Sequence, residues 1–212
     1  MTYNPKQIVT RNIVKFDFDK KFPPNLKLIN DHTNYWEIGD GAAQSGTQSI
    51  YITTPKRSSQ DKNIYSPSVR QVSHFSFDMN IPKKALSAYL QFSYKGIGNA
   101  ENAYLQIHQI ELTAGASPGE LYKAYKGEAL GWDPEVGHSN EEGKSYSLQS
   151  EWMNEIIKLD ISDYRNDSKK ILFTWFNDKS EIAYNPAIAI DDLEVYCTFF
   201  QHDAHQLKIN KQ

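Results

Sequence analysis

Cysteine is almost missing from these 212 residues: Cys197 stands alone, which excludes an intrachain disulfide framework and leaves the redox compartment open. It sits in Val195-Tyr196-Cys197-Thr198-Phe199, on the apolar side of an alternating strand, and reads as core filler. A reactive thiol needs an electropositive, partly exposed niche, and no His or Lys adjoins it in sequence. Long hydrophobic runs are lacking too. No stretch approaches the ~20 apolar residues of a spanning helix, so membrane insertion is not expected. The opening Met1-Thr2-Tyr3-Asn4-Pro5-Lys6 has no apolar signal-peptide centre, which leaves either a cytosolic chain or an export signal lying outside this sequence. Charge of one sign is not in excess. The 23 basic and 26 acidic residues give a net charge of −3 and are spread along the chain, so nothing marks an electrostatic footprint for nucleic acid or an anionic membrane. Also absent are a Gly-x-Ser-x-Gly elbow, a Cys-His pair, a His-Glu-x-x-His helix and a phosphate-cradling glycine loop, so the familiar enzyme classes have no foothold.

What is present is strand pattern. Aromatics make up 13% of the residues, with 13 Tyr and 10 Phe against 3 Met, a balance that suits pleated, half-buried surfaces. Period-two alternation recurs in short runs broken by Gly, Pro, Asn and Asp, which predicts an all-β, two-sheet antiparallel β-sandwich of the jelly-roll kind with eight or more strands. The first run, Val14 to Asp19, turns Val14, Phe16 and Phe18 one way and Lys15, Asp17 and Asp19 the other. His74 to Ile81 alternates most cleanly, predicting Phe75, Phe77, Met79 and Ile81 inward and His74, Ser76, Asp78 and Asn80 in water. Ile171 to Phe176 is apolar on both faces, as a central covered strand would be. Ser150 to Glu155 has a weak local helical character. The expected organisation is an N-terminal extension over 1–12, one sandwich domain over 13–200 and a polar tail over 201–212. His202 and His205 in that tail have ligand-like spacing but no rigid frame, and read as solvated.

The last strand carries a phase slip. Ile188 and Ile190 are apolar at even positions, whereas Leu193, Val195, Cys197 and Phe199 are apolar at odd ones. Keeping both sets on the core requires an extra residue at Asp191-Asp192, a β-bulge, which re-aims side chains. If the first and last strands pair, Asp17, Asp19, Asp191 and Asp192 converge. Hard oxygen donors of this kind suit Ca²⁺. Spacing alone leaves two readings open for Asp17 and Asp19: metal ligands, or the solvated face of an amphipathic strand.

Six segments in order carry a family resemblance. They are Asn34-Tyr35-Trp36-Glu37-Ile38-Gly39, Gly46-Thr47-Gln48-Ser49-Ile50-Tyr51-Ile52, Leu90-Gln91-Phe92-Ser93-Tyr94-Lys95-Gly96, Thr113-Ala114-Gly115, Phe173-Thr174-Trp175-Phe176-Asn177-Asp178 and Pro186-Ala187-Ile188-Ala189-Ile190-Asp191-Asp192-Leu193-Glu194-Val195. Together they resemble the MAM-like jelly-roll domains of Bacteroidetes surface proteins, the group that includes cleaved-adhesin and choice-of-anchor J modules, over about Phe16 to Val195. The resemblance implies a secreted or cell-surface recognition module, non-catalytic, belonging to a larger surface assembly and binding a glycan or a surface protein. It also implies structural calcium, held by Asp17 or Asp19 and by Asp191, with Asp192 beside them. The acidic, glycine-rich loop of many members is reduced here to Asn30-Asp31-His32 and Gly39-Asp40-Gly41.

Trp36 and Trp152 fall at scaffold positions of that resemblance, and Trp175 belongs to a core strand. Trp132 differs. It lies in Leu130-Gly131-Trp132-Asp133-Pro134-Glu135, inside the long unpatterned stretch from Thr113 to Ser150, where a sugar ring could stack on the indole while Asp133, Glu135 and the nearby Tyr125 take its hydroxyls. Tyr125, Trp132, Asp133 and Glu135 are the expected ligand-binding residues. A glycoside hydrolase would draw its carboxylate pair from Glu101, Asp133, Glu135 and Glu141, and spacing in sequence does not test that.

Overall fold

The computed structural model describes residues 7–206 apart from 21, 56–57, 59, 100, 124–127, 131–143, 162–167 and 180–181. Ten strands follow in order: β1 (Ile8–Phe16), β2 (Leu26–Ile29), β3 (Tyr35–Gly39), β4 (Ser49–Thr53), β5 (Gln71–Met79), β6 (Ser87–Gly96), β7 (Ala103–Glu111), β8 (Gln149–Leu159), β9 (Lys169–Asn177) and β10 (Ala189–Phe200), then a short helix α1 (Gln201–Gln206). They form an all-β sandwich of two antiparallel sheets. The six-stranded sheet runs β3-β4-β10-β6-β8 with β1 also paired to β10, and the four-stranded sheet runs β2-β5-β9-β7. The terminal strands do pair, from Ile8 opposite Phe200 to Phe16 opposite Leu193.

Alternation decides what lies between the sheets. Leu90 and Phe92 of β6, Leu193, Val195, Cys197 and Phe199 of β10, Phe75 and Phe77 of β5 and Ile171 and Phe173 of β9 are all sealed from solvent. Phe75 and Phe173 stack at 4.4 Å, Trp36 meets Phe75 edge-on at 4.8 Å and Phe92 meets Phe173 edge-on at 5.7 Å. Each such ring pair adds about 0.5–1.5 kcal/mol beyond the area it buries. Burial pushes the Cys197 thiol up to about 12, so it stays protonated and inert.

Several expectations need correction. Ser150 to Glu155 is not helical but lies within β8, because pairing with β6 from Ala88–Leu159 to Tyr94–Met153 overrides a weak local propensity. The first strand ends at Phe16, so Asp17 and Asp19 leave its pleat and sit in the following turn. The strand also reaches back to Ile8, into the segment set aside as an extension, and Ala204 of α1 is buried within the segment set aside as a tail. On β5, His74 and Ser76 are not in water: their exposures are 0% and 1%. The segment after β7 folds over that face, where Ser117 O and Glu120 O each lie 3.1 Å from His74 Nε2. Carbonyls only accept, so Nε2 carries the proton and Nδ1 accepts from Thr174 Oγ1 at 2.9 Å. Lining a sheet with polar residues does not leave it wet when a long connection supplies matching acceptors.

Candidate functional site

The register slip at Asp191-Asp192 is present in the structure. Pairing of β10 with β6 shifts between Asp191 and Glu194, and Asp192 takes the left-handed backbone at φ 50°. The extra residue lets Ile188 and Ile190 on one side and Leu193 and Val195 on the other all remain buried. It also turns Asp191, only 3% exposed, toward the loop between β3 and β4. Asp191 Oδ2 accepts from Gln44 N at 2.8 Å and Ser45 N at 3.0 Å, while its Oδ1 accepts from Asp192 N at 2.8 Å. Ser45 Oγ donates to Asp192 Oδ1 at 2.6 Å. From the other side, Asp19 Oδ1 accepts from Thr47 N, Thr47 Oγ1 and Gln48 N at 2.7, 2.9 and 2.8 Å. Gly46 between them has φ +62°, and a Cβ there would fall on Asp19 Oδ2.

Asp17, Asp19, Asp191 and Asp192 thus line one cavity of about 210 Å³, together with Lys15, Phe16 and Ser45. Burial raises the Asp191 pKa against the pull of its backbone donors, whereas the Thr47 amide and hydroxyl hold Asp19 below its usual value. A calcium ion takes six to eight oxygens. Here both Asp191 oxygens and one each of Asp19 and Asp192 are already turned to N–H or O–H donors, and Asp17 bonds Lys20 at 2.5 Å. Among the described residues no three His, Cys, Asp or Glu side chains gather as a metal-ligand group. As folded, Asp19, Asp191 and Asp192 hold the loop at 44–48 through its amides and the Ser45 and Thr47 hydroxyls.

A second feature occupies the outer face of the six-stranded sheet, away from the core. Residues out of phase with the buried set on β6, β8 and β10 line a cavity of about 330 Å³: Gln91, Ser93, Asn154, Asp192 and Glu194, with Lys15 from β1. Register explains the grouping, since Ser93 pairs with Asn154 and with Asp191, and Gln91 pairs with Glu194. Glu194 is oriented by Asn12 Nδ2 at 2.6 Å and Lys15 Nζ at 3.7 Å. At one end of this lane Tyr89 and Tyr196 stack at 5.2 Å with their planes 21° apart. At the other, half-buried Trp152 rests on Ala42, Tyr51 and Ala189 with Lys95 Nζ 5.2 Å from its ring centre. Aromatic surface, amides, a hydroxyl and carboxylates with an associated cation therefore share one open face.

The predicted residues distribute unevenly. Tyr125, Trp132, Asp133 and Glu135, and Glu141 of the hydrolase pool, lie outside the described residues. Glu101 is in an exposed turn. Trp36 is 1% exposed with Nε1 donating to Ser73 O at 3.2 Å, and Trp175 is likewise buried, so both are scaffold. Trp152 is scaffold and surface at once. His202 Nε2 lies 3.1 Å from its neighbour Asp203, whose carboxylate also binds Lys84. The sequence reading missed Tyr89, Gln91, Asn154, Glu194 and Tyr196. For Tyr89, Gln91, Glu194 and Tyr196 the signal was available in the off-phase positions of two clean strands, β6 and β10, but which strands lie side by side was not.

No protein-family model matches the sequence, and no curated protein matches it significantly. Solved structures do resemble it in shape. A structure of carbohydrate-binding modules from the β-sandwich superfamily aligns at TM-score 0.50 and 11% identity over 85% of this chain and 60% of that one. The K1 cleaved adhesin domain of Lys-gingipain from Porphyromonas gingivalis W83 aligns at TM-score 0.44 and 12% identity over 89% of this chain and 97% of that one. The enzymatically active domain of tailspike protein 4 from bacteriophage CBA120 aligns at TM-score 0.46 and 10% identity over 81% of this chain, which spans only 19% of it. At such identities the likeness to the β-sandwich carbohydrate-binding modules establishes the fold alone.

Proposed function

We propose that this chain is a non-catalytic recognition module of the cell surface or extracellular space that binds carbohydrate on the outer face of its six-stranded sheet. The observation that carries the reading is the open lane running from Trp152 through Ser93, Asn154, Gln91 and Glu194 to the stacked Tyr89–Tyr196 pair. A sugar ring presents an apolar C–H face and a rim of hydroxyls. The first suits an aromatic surface, and the second suits amides, a hydroxyl and a carboxylate held in place by neighbours. A rigid sheet fixes these groups without loop ordering, which lowers the cost of binding. The β-sandwich carbohydrate-binding modules that share the fold, described as promiscuous in specificity, are consistent with this reading. The stretch from Thr113 to Ser150, with Tyr125, Trp132, Asp133 and Glu135, is the second proposed contact.

Affinity electrophoresis against a panel of polysaccharides, followed by calorimetry with the best oligosaccharide, tests the proposal. Tyr196→Ala should weaken binding about tenfold, the ~1.4 kcal/mol of one lost stacking surface, while far-UV circular dichroism shows the fold retained. A panel without a single retarded lane, or a ligand bound equally well by Tyr196→Ala and Trp152→Ala, overturns the site. One observation favours a second reading, a protein-interaction subunit of a surface or secretion assembly: β8 leaves Met153 and Ile156 at 46% and 53% exposure. That reading expects a blank carbohydrate panel and one stoichiometric partner recovered from native envelope.

A further inference from the structure

The segment that follows β7 and folds over the four-stranded sheet uses its carbonyls and its amides unequally. Leu112 O and Ala114 O accept from Lys170 Nζ at 3.0 and 2.6 Å, Ser117 O and Glu120 O from His74 Nε2, and Gly119 O from an Arg70 guanidinium N–H at 3.0 Å. The Gly119 amide donates to Val72 O at 2.8 Å, which ties the segment to β5. Between these anchors the Gly115, Ala116 and Ser117 amides make no hydrogen bond among the described residues. A backbone whose acceptors are engaged and whose successive donors are unpaired favours anions. These amides border an open cavity of about 980 Å³, within the range that ligand sites occupy. Its charged lining residues are two cations, Arg70 and Lys123, against one carboxylate, Glu120, the reverse of the lane on the other sheet, where Lys15 faces Asp192 and Glu194. Arg70 is also held in position. Its guanidinium rests over the Phe176 ring at 5.5 Å, that ring packs on Tyr104 at 5.0 Å, and no described carboxylate pairs with the guanidinium.

We propose that this cavity is a second binding site, on the opposite sheet from the lane, and that it takes a carboxylate-bearing saccharide, an oligosaccharide of uronic acid. A planar guanidinium with one N–H engaged keeps the donors that fork onto a carboxylate, which a lysine ammonium does not offer. The excess of a single positive charge matches a monoanionic carboxylate rather than a phosphate dianion. Lys123 and the 115–117 amides supply further donors around the opening, and Leu121 and Tyr122 supply apolar surface for a sugar face. The wall is fixed before any ligand arrives, because Lys170, His74, Arg70 and Val72 already pin it, and this lowers the cost of binding. The choice of an anion rests on this cavity alone; the choice of a saccharide to carry it rests on the carbohydrate reading above.

Calorimetry on the full chain with galacturonate and glucuronate oligosaccharides, their methyl esters and a short oligoglutamate tests the site. One of the uronates should bind, and its ester should bind at least about tenfold more weakly, as should the free acid to Arg70→Gln. Lys123→Gln, which removes an exposed cation that makes no ion pair, should cost about threefold and lessen the salt dependence. Gly115→Trp should block the cavity without disturbing the fold, because an added Cβ there meets nothing within 4 Å and the backbone lies outside the left-handed region. Tyr196→Ala, in the lane, should leave uronate affinity unchanged. Binding of acid and ester alike, full affinity in Arg70→Gln or Gly115→Trp, or oligoglutamate bound as tightly as the uronates overturns the proposal. So does the absence of any uronate binding, and if neutral polysaccharides are then still held through Tyr196, the lane stands without this site. A blank neutral panel beside an Arg70-dependent uronate removes the lane and keeps the cavity.

Discussion

Acid should loosen the four-stranded side of the sandwich through His108, and the magnitude follows from its surroundings. The residue is 2% exposed, its Nδ1 has no hydrogen-bond partner among the described residues, and the Tyr122 ring lies 5.2 Å away. Burial, reinforced by the nearby His74, pushes its pKa from 6.5 down to about 4. The folded state therefore resists a proton that the unfolded chain accepts near 6.5. The contribution of a neutral His108 is whole above that pH, declines as pH falls through the interval, and is gone below about 4. Each pH unit in the interval is worth about 1.4 kcal/mol, so the full loss is about 3 kcal/mol, a sizeable part of an ordinary domain's stability. Burial lowers the His74 pKa as well, in the same direction. Urea unfolding of the unaltered protein and of His108→Phe at pH 7, 5.5 and 4 isolates the effect, because the carboxylates titrate alike in both. Relative to the unaltered protein, the variant should gain about 3 kcal/mol between pH 7 and 4. A difference between the two that stays flat over this range refutes the argument.

Asp191→Ala should cost about 1–3 kcal/mol, because it strands the Gln44, Ser45 and Asp192 amides beside a buried site, and denaturant midpoints will measure it. Since amide and hydroxyl donors already hold Asp19, Asp191 and Asp192 in place, adding a calcium chelator should leave the melting midpoint where it is; a drop of several degrees would show that calcium holds Asp17, Asp19, Asp191 and Asp192 together.

How much of this was legible beforehand depended on the range of the forces involved. The alternation of Phe75, Phe77 and Met79, of Leu90 and Phe92, and of Leu193 to Phe199 is a local property, and burying one face of each strand made a sandwich the economical outcome. The phase change at Asp191-Asp192 was legible for the same reason, since a period of two admits no other way to keep both apolar sets inside. Ser150 to Glu155 misled because a short polar run has little intrinsic preference, and β6 settled its conformation from outside.

By itself, then, the sequence determined the fold class, the buried identities of Trp175 and Cys197, and the bulge, all consequences of neighbours along the chain. Tertiary structure alone decided that the aspartates clamp the loop at 44–48, that His74 lies under the segment at 117–120, and that Gln91, Asn154 and Glu194 share a lane. Those contacts join residues up to 147 positions apart, and which strands become neighbours is set by packing of the whole core rather than by any pattern within one strand.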